Sequence, residues 1–343
     1  MKDALTILGC NVIPFKWHSY FIAKSRGTNT PEFWAKIQRK LSLGPLINKI
    51  NADLIQLAIE TQPHVIFIYR GEHIYGSTIQ ALKAGCPRAF IIGYNNDDPF
   101  SPRYPKWFWR HFIESIPFYD LVLSYRQRNI PEYINAGAKH VELMRSWYVP
   151  SVQYSLDIEK EYDVVFVGHG EDDGRLQALE KIVESGFSLG LFGPSHYWSK
   201  QLKKSPHLAE LLPVTPVLGS AYNKVLNEAK VALCFFSTLN RDTYTRRCFE
   251  IPAAGTVLLA QYSDDLAGLF EPDVEAVYFK SPDELITKLT WLLENNDIRT
   301  TIAKAGQQKA VTAGHDVVSR MKLLLQWIDL LSNNTLQVIS AVK

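Results

Sequence analysis

Short apolar segments alternate with helical patterns along most of the chain, and this alternation constrains the fold more than any other feature. Strands that alternate with helices form parallel sheets built from βαβ units. The sequence therefore predicts an α/β protein. Strands are predicted at 5–13, 63–69, 88–93, 120–124, 141–144, 163–167, 187–192, 231–235, 256–260 and 276–279. Helices are predicted at 46–61, 74–84, 106–116, 130–136, 175–183, 221–229, 283–294, 298–312 and 315–331.

The length of the chain predicts two domains. Its 343 residues exceed the roughly 250–300 at which single hydrophobic cores stop growing. A polar stretch with Pro150 and no clear periodicity separates the two halves. We expect an N-terminal domain at 1–148, a linker at 149–162, a C-terminal domain at 163–315 and a tail at 316–343.

The composition excludes several classes of protein. Four cysteines are scattered without a CxxC pair, which predicts reduced thiols in a cytoplasmic protein. We find no signal peptide and no apolar run of about 20 residues, so no membrane span is predicted. Residues 1–150 carry 18 Lys and Arg against 11 Asp and Glu, whereas the rest carries 19 against 24. No nucleic-acid motif accompanies this split, so we expect no nucleic-acid partner.

The stretch 238–260 combines acids, arginines and a helix-to-strand turn. A nucleoside diphosphate needs cationic donors for its phosphates and a carboxylate for its vicinal ribose hydroxyls. Arg246 and Arg247 supply the first and Glu250 the second, and all three share one face of a predicted helix. Asp242 precedes them, and Gly255 permits close backbone approach. The simpler alternative is a surface ion pair worth ~0.2–0.5 kcal/mol.

The same residues carry a family resemblance. The pattern Asn240-Arg-Asp242…Thr245-x-Arg247-x-Phe-Glu250-x-Pro-x-x-Gly255, followed by Leu269-Phe-Glu-Pro272 and Glu275-Ala-Val-Tyr-Phe279, resembles CgeB-like (spore-maturation type) glycosyltransferases. Those are similar to the large glycosyltransferase family 4 group, in which an acid-x7-acid motif precedes a turn and a strand, and the second acid holds the donor ribose. Asp242 stands where Glu is commoner. The resemblance is strong from about 163 to 320 and only architectural before that.

The resemblance implies the GT-B fold, with two Rossmann-like domains facing across a cleft and the tail crossing back to the first. It implies transfer of a sugar from a nucleoside diphosphate to an acceptor hydroxyl, with retention and no metal. We expect no permanently bound cofactor. The nucleotide sugar is a co-substrate, with UDP and GDP as the expected carriers. The expected acceptor is a glycan, a lipid-linked molecule or a protein.

Further donor-binding residues are predicted at the ends of strands in the C-terminal half. Gly168 and Arg175 belong to a loop between a strand and a helix, where phosphates bind in doubly wound sheets. Gly193 follows the next strand, and Tyr222 resembles a family position near the nucleotide. Trp198 is either a base-stacking residue or a core residue. The alternative for Arg175 is a solvated side chain.

Acid–base candidates follow two strands of the N-terminal half. Asp97 and Asp98 resemble an Asp-Asp-Pro element of CgeB-like sequences, and His73 with the acceptor-side Glu72 follows another strand. Inversion would require such a group to deprotonate the acceptor, whereas the departing phosphate can take that proton under retention. The alternatives are turn formation or capping for the aspartates and no special role for His73.

Aromatic and basic residues interleave at 103–112, including Trp107 and Arg110. One interpretation is an interfacial helix that touches lipid headgroups, which would place the protein peripherally at the inner face of a membrane. A second is an acceptor groove in which these rings stack on sugars. The third is a helix that completes the first hydrophobic core.

Two other functions fit the same motifs. A GT-B-shaped nucleotide-sugar epimerase would consume donor with no acceptor present. A non-catalytic GT-B domain would bind a nucleotide sugar or a partner without turnover. The oligomeric state, the sugar and the acceptor do not follow from the sequence.

Overall fold

The structure, a computed structural model, describes residues 1–22, 31–203 and 205–341. These residues form two compact units. The first comprises the described parts of 1–145 and of 321–343, and the second comprises the described parts of 146–320. The last helix, α14 (Val317–Ala341), begins in the second unit and continues in the first. Residues 342 and 343 of the predicted tail lie outside the described residues, and the predicted domain boundaries stay a prediction.

The first unit contains a parallel sheet of four strands whose spatial order equals their chain order. Its core packs Ile91 and Val122 of the sheet against Ile47 and Ile79 of two helices. The strands are β1 (Val65–Tyr69), β2 (Phe90–Asn95), β3 (Leu121–Ser124) and β4 (Val141–Leu143). The helices are α1 (Lys2–Ile7), α2 (Glu32–Leu41), α3 (Pro45–Thr61), α4 (Gly76–Gly85), α5 (Arg110–Ser115) and α6 (Asn129–Asn135).

The predicted strand at 5–13 is wrong. Lys2–Ile7 forms α1, and no regular element follows before a 3-10 helix at Trp17–Phe21. A short apolar run does not by itself distinguish a strand from a helix. Here the run does not enter the sheet, and the side chain of Ile7 is 72% exposed. The described sheet of the first unit therefore begins with β1.

The second unit contains a parallel sheet of five strands in the order β6-β5-β7-β8-β9. The central strands are apolar and buried because helices cover both faces of such a sheet. The strands are β5 (Tyr162–Val167), β6 (Leu189–Phe192), β7 (Ala229–Cys234), β8 (Val257–Gln261) and β9 (Val277–Phe279).

Two helices of the second unit begin after a serine whose side chain caps them. In α12, the Ser281 hydroxyl accepts a hydrogen bond from the backbone N–H of Glu284 at 3.2 Å, and Pro282 occupies the first position. The helices are α7 (Arg175–Glu184), α8 (Ser195–Leu202), α9 (Gly219–Glu228), α10 (Arg247–Ala253), α11 (Asp264–Ala267), α12 (Pro282–Glu294) and α13 (Asn296–Thr312).

The segment predicted as a linker, 149–162, packs along α9 within the second unit. The Tyr154 carbonyl accepts hydrogen bonds from the side-chain amides of Asn223 and Asn227, at 3.0 and 3.1 Å. The Asn227 side chain also accepts the backbone N–H of Leu156 at 2.7 Å. These bonds hold the segment that precedes β5 against α9.

Candidate functional site

The strand order of the second unit fixes where a ligand is expected. β5 is the first strand of this sheet, β6 lies on one side of it and β7 on the other. The chain therefore reverses direction across the sheet between β5 and β7. Ligands of open α/β sheets bind beyond the carboxyl ends of the strands at such a switch point. Two loops meet this description: 168–174 after β5 and 235–246 after β7.

Glycines let the loops at this edge approach closely. A Cβ atom on Gly193 would lie 2.0 Å from the Gly168 carbonyl oxygen, so no larger residue fits without movement. The same carbonyl accepts a hydrogen bond from Trp198 Nε1 at 2.9 Å. Ser237 Oγ donates to Glu171 Oε2 at 2.8 Å and joins the loops after β5 and β7. The predicted residues Gly168 and Gly193 thus shape the site through the backbone.

Glu250 is held as a fixed carboxylate at the start of α10. Its Oε1 accepts from Arg246 Nε at 2.7 Å, and its Oε2 accepts from the Tyr222 hydroxyl at 3.1 Å. The residue is only 8% exposed. Burial and the adjacent Glu250 raise the pKa of Tyr222 well above its usual value, so the phenol stays a donor. The structure brings together three residues that the sequence predicted for the donor site.

Arg247, next to this carboxylate, has unused hydrogen-bonding capacity. Its Nε is buried and has no hydrogen-bond partner among the described residues. Burial, and after it the charge of Arg247, lower the pKa of His169 in the loop after β5. A buried guanidinium N–H without a partner is costly unless an acceptor fills the space. The geometry fits an anion between Arg247 and the loop 168–174, which contains three glycines and is called the glycine loop below.

Arg175 is buried, and its guanidinium is engaged within its own loop. It pairs with Asp173 and donates to the His169 carbonyl oxygen at 2.6 Å. The guanidinium carbon also lies 5.8 Å from the centres of the Phe166 and Phe235 rings. This arrangement favours a role in holding the loop after β5, and the diphosphate contact stays a prediction.

Two further donor-site predictions occupy different places. Asp242 lies in the loop after β7, where its backbone N–H donates to the Ser237 carbonyl at 3.0 Å. Gly255 precedes β8 and thus lies at the opposite edge of the sheet from the two loops. Its φ is +76°, and an added Cβ atom would lie 2.2 Å from Ser155 Oγ. That contact is enough to explain why residue 255 is a glycine, with no need for a bound donor substrate. The donor-site roles of Asp242 and Gly255 stay predictions.

Of the two interpretations for Trp198, the structure favours the core residue. Its side chain is 0% exposed and belongs to the main cluster of the second unit. The neighbouring Tyr197 is 42% exposed instead. Its ring stacks on His169, with centroids 4.5 Å apart and planes 19° apart. The Tyr197–His169 pair is therefore an accessible aromatic surface at this edge, and the sequence did not predict it.

A pair of thiols that the sequence did not predict lies beneath the site. Cys234 ends β7 and Cys248 lies on α10, with 3.6 Å between their sulfur atoms. Thr245 Oγ1 lies 3.2 Å from Cys234 Sγ. Fourteen positions separate the two cysteines in the chain, so only the fold brings them together. They help to fix α10, and with it Glu250, against β7.

In the first unit, charged groups meet at the carboxyl ends of β1 and β2. Arg70 donates to Asp97 Oδ2 at 2.6 Å and to Glu72 Oε1 at 3.1 Å. Burial raises the pKa of Glu72, and Arg70 opposes that shift. Arg70 has a φ of +68°, a conformation that is uncommon for residues other than glycine. The sequence placed Arg70 and the two carboxylates at this edge, but it did not predict that Arg70 joins them.

The other acid–base candidates are buried. Asp98 Oδ1 accepts from the Phe100 N–H at 3.0 Å and from Asn129 Nδ2 at 2.9 Å, which is turn chemistry. His73 is 3% exposed, and its Nδ1 lies 3.0 Å from Ser42 Oγ. Burial, then the charge of Arg39, lower the pKa of His73 to about 3. Such an imidazole is a weak base, so the geometry does not favour catalysis by either residue.

The aromatic and basic segment 103–112 contributes to packing. Trp109 and Phe112 are buried in the core of the first unit. Arg110 donates to the Trp107 carbonyl at 2.9 Å and to the Leu41 carbonyl at 2.6 Å. This placement supports the third interpretation of the segment. The acceptor-side roles of Trp107 and Arg110 stay predictions.

No group of three or more His, Cys, Asp or Glu side chains in 1–22, 31–203 and 205–341 is arranged to hold a metal ion. Within the same ranges, no helix combines the length and the apolar character needed to cross a bilayer.

Comparison with known families connects this site with glycosyl transfer. A family described as "Glycosyl transferase-like" matches residues 175–326, somewhat less than half of the chain. The match includes α7, α10 and the Arg246–Glu250 segment, but not the loop after β5. No sequence among curated proteins matches the chain significantly.

Several solved structures resemble this chain over most of its length. HepE of Anabaena, solved with UDP and glucose, has a TM-score of 0.64 at 14% identity, with 83% of each chain covered. Sucrose-phosphate synthase of Thermosynechococcus elongatus has a TM-score of 0.64 at 10% identity, covering 84% of this chain and 79% of that one. A trehalose-6-phosphate synthase, studied for transfer with retention, has a TM-score of 0.59 at 12% identity, covering 92% and 82%.

The chain therefore has the GT-B fold, as the family resemblance implied. Identities of this size show the fold alone. The fold and the family match agree on a glycosyltransferase-type architecture. The reaction itself depends on the residues of the site and does not follow from the fold.

Proposed function

We propose that this protein is a glycosyltransferase that moves a sugar from a nucleoside diphosphate to an acceptor hydroxyl, with the donor held by the second unit. One observation carries the proposal. Glu250 is fixed by Tyr222 and Arg246 beside the switch point, and Arg247 next to it has a buried N–H without a partner. A carboxylate that can accept hydrogen bonds from a ribose diol thus lies beside an N–H group that can donate to a phosphate. The assignment to CgeB-like enzymes in particular belongs to the same proposal.

Each group has a chemical role in this reaction. The Glu250 carboxylate accepts hydrogen bonds from the ribose hydroxyls, while Tyr222 and Arg246 prevent it from turning away. Arg247 and the backbone N–H groups of the glycine loop bind the diphosphate. Negative charge grows on the diphosphate as the glycosidic bond breaks, so donors aimed at it stabilise the transition state most. These groups take the place that a metal ion has in other transferases.

We infer retention of the anomeric configuration. Inversion requires a general base within hydrogen-bond reach of the acceptor hydroxyl. Asp98 is used in turn formation, the pKa of His73 is lowered to about 3, and Asp97 is paired with Arg70 at 2.6 Å, so none of the three is suited to that role. The structurally similar trehalose-6-phosphate synthase is described as acting with retention.

The first test is calorimetric binding of UDP, GDP, dTDP, ADP and CMP to the wild type and to Glu250→Ala. One diphosphate is expected to bind selectively. Loss of charged hydrogen bonds worth ~1.5–3 kcal/mol should weaken it about 10- to 150-fold in the variant. Glu184→Ala is the matched control, because Glu184 is an exposed carboxylate on α7 that faces His207 at 3.5 Å. Equal affinity of the wild type and Glu250→Ala would refute the ribose contact.

The 2′-deoxy form of the preferred nucleotide sharpens this test. The wild type should prefer the ribonucleotide, and Glu250→Gln should lose most of that preference. Turnover of the matching nucleotide sugar, with the anomeric configuration of the product read by proton NMR, then tests transfer and retention. Consumption of donor without acceptor would favour an epimerase. Binding without any turnover would favour a non-catalytic domain.

A further inference from the structure

A second pocket lies in the same unit, at the edge of the sheet away from the proposed donor site. Its volume is about 360 Å³. Lys230 at the start of β7 and Gly255 just before β8 both line it, so it faces the amino ends of the strands. The donor loops follow the carboxyl ends of the same parallel strands. The pocket is therefore separate from the site described above.

Positive charge dominates the lining of this pocket. Four of the residues that line it are cationic: Lys160, Lys230, Arg299 and Lys304. One carboxylate, Asp163, pairs with Lys230 at 2.7 Å and also acts on Arg299. The concentration of charge is local, because residues 151–343 carry 19 Lys and Arg against 24 Asp and Glu. A concave, positively charged site in an otherwise acidic unit selects anions.

Two of the four cations, Lys160 and Lys304, retain donors for a ligand, whereas Lys230 pairs with Asp163 and Arg299 donates to the Leu292 carbonyl at 2.9 Å. Lys160 Nζ donates to the Asn227 carbonyl at 2.6 Å, which uses one of its three N–H groups. The side chain of Lys160 is exposed as a whole, yet desolvation near its ammonium and the charge of Arg299 lower its pKa. An anion between the two would relieve this repulsion. Lys304 lines the pocket with no hydrogen bond or ion pair among the described residues.

Helix α13 contributes one whole face to the pocket. The lining positions recur every three or four residues from the first residue of the helix, so they share a face: Asn296, Arg299, Thr300, Ala303, Lys304 and Gln307. The N-cap residue Asn295 makes no side-chain capping bond. The first N–H groups of the helix therefore add their partial positive charge to that of the side chains.

We propose that this pocket binds a phosphate group, carried by a small phosphorylated metabolite or free in solution. The cations and the uncapped helix start provide the charge that a phosphate needs, and Asn296, Thr300 and Gln307 provide hydrogen-bonding groups for a hydroxylated body. A volume of about 360 Å³ is within the range of small-molecule sites and exceeds what a bare ion fills. The proposal does not depend on the donor site.

Occupancy of this pocket bears on the helix that carries Glu250. Gln307 lines the pocket and donates to the Ala253 carbonyl at 3.2 Å, at the last residue of α10. It also donates to Ser155 Oγ at 2.6 Å, next to Gly255. A ligand that draws Gln307 away would release two contacts at this end of α10.

The test measures binding of inorganic phosphate and of glucose 6-phosphate by calorimetry, at constant ionic strength and with UDP saturating. Binding that persists with UDP present supports the separate site. Displacement of either probe by UDP, or no binding at millimolar concentration, would overturn the proposal. Tighter binding of glucose 6-phosphate identifies an esterified ligand, and equal affinity identifies the free anion.

Matched variants locate the binding. Lys304→Gln removes a cation without a structural partner, so the fold should persist while affinity for both probes falls about tenfold. Lys181→Gln removes one positive charge from α7, outside the pocket, and should change affinity by less than about twofold. Equal effects of the two variants would show general attraction to the surface and contradict the site.

Discussion

At the scale of single residues, Arg247 differs from the other arginines around the site. Arg246 is bonded to Glu250, and Arg175 is bonded to Asp173 and the His169 carbonyl. Arg247 keeps a buried Nε without a partner among the described residues. An unused buried donor costs free energy in the empty protein. A phosphate that accepts from it recovers that cost on binding, so Arg247 is the residue on which the affinity for phosphate should depend most.

Substitution of Arg247 tests this assignment. Arg247→Ala should weaken the preferred nucleoside diphosphate by about 10- to 150-fold, the equivalent of one charged hydrogen bond of ~1.5–3 kcal/mol. The corresponding nucleoside should be affected by less than about threefold, because the ribose contact at Glu250 remains. Calorimetry with both ligands measures the difference. Equal losses for the nucleoside and the diphosphate would contradict a phosphate role.

The site residues that belong to a sequence motif could be predicted. Contacts between residues that are distant in the chain could not. Arg247 and Glu250 are three positions apart on one predicted helix, so their spacing alone places them on the same face. The sequence gives no sign that Cys234 and Cys248 touch, since that contact joins a strand end to a helix. Trp198 and Tyr197 are adjacent in the chain, and only the packing of α8 determines which ring is buried.

At the scale of elements, the loops after β5 and β6 can approach each other closely because glycines stand at 168 and 193. A Cβ atom on Gly193 would lie 2.0 Å from the Gly168 carbonyl oxygen and 2.8 Å from Trp198 Nε1. Neither neighbour can move freely, because one belongs to the backbone and the other to a buried ring. The separation of these loops is therefore set by the glycines.

Gly193→Ala should destabilise the protein by roughly 3 kcal/mol, combining the backbone cost of an unfavourable φ with the cost of overpacking. Gly186→Ala is the matched control. Gly186 also has a positive φ, +82°, but no atom lies within 4 Å of its added Cβ. It should cost only about 1–2 kcal/mol. Urea unfolding compares them, and equal destabilisation would show that loop contact contributes nothing.

The elements themselves were largely predictable because buried parallel strands are continuous apolar runs. Nine of the ten predicted strands correspond to β1–β9, with ends shifted by one or two residues. The exception at 5–13 is apolar but joins no sheet. The short helices α1 and α11 were not predicted, and neither was the longer helix α2. Its sequence carries exposed aromatic residues, Phe33 and Trp34, where a buried stripe would have revealed it.

At the scale of the whole molecule, length and alternation predicted an α/β chain with two units, and the strand order was beyond the sequence. The order β6-β5-β7 creates the switch point at which the donor site is proposed. The basic pocket at the other edge was equally hidden, since its four cations come from three separate segments. Such sites depend on which strands become neighbours, and long-range packing decides that.

The stability of the whole molecule should depend on pH through the buried His73. Its pKa is about 3 in the folded protein and near 6.5 in an unfolded chain. Below pH 6.5 the unfolded state binds the proton that the folded state refuses, so stability falls as the pH drops towards 3. Burial lowers the pKa of His111 in the same direction.

Replacement of this imidazole should flatten the pH profile. Between pH 7 and pH 5 the wild type should lose on the order of 2 kcal/mol through His73 alone, and His73→Gln should lose that much less. His64→Gln removes an exposed imidazole and should keep the wild-type slope. Urea unfolding followed by circular dichroism at both pH values gives the slopes, with separate fits if the two units unfold in two steps. If the free energy of unfolding fell equally with pH in the wild type and in His73→Gln, the folded protein would accommodate a protonated His73. The predicted pH dependence requires that the folded state exclude this proton.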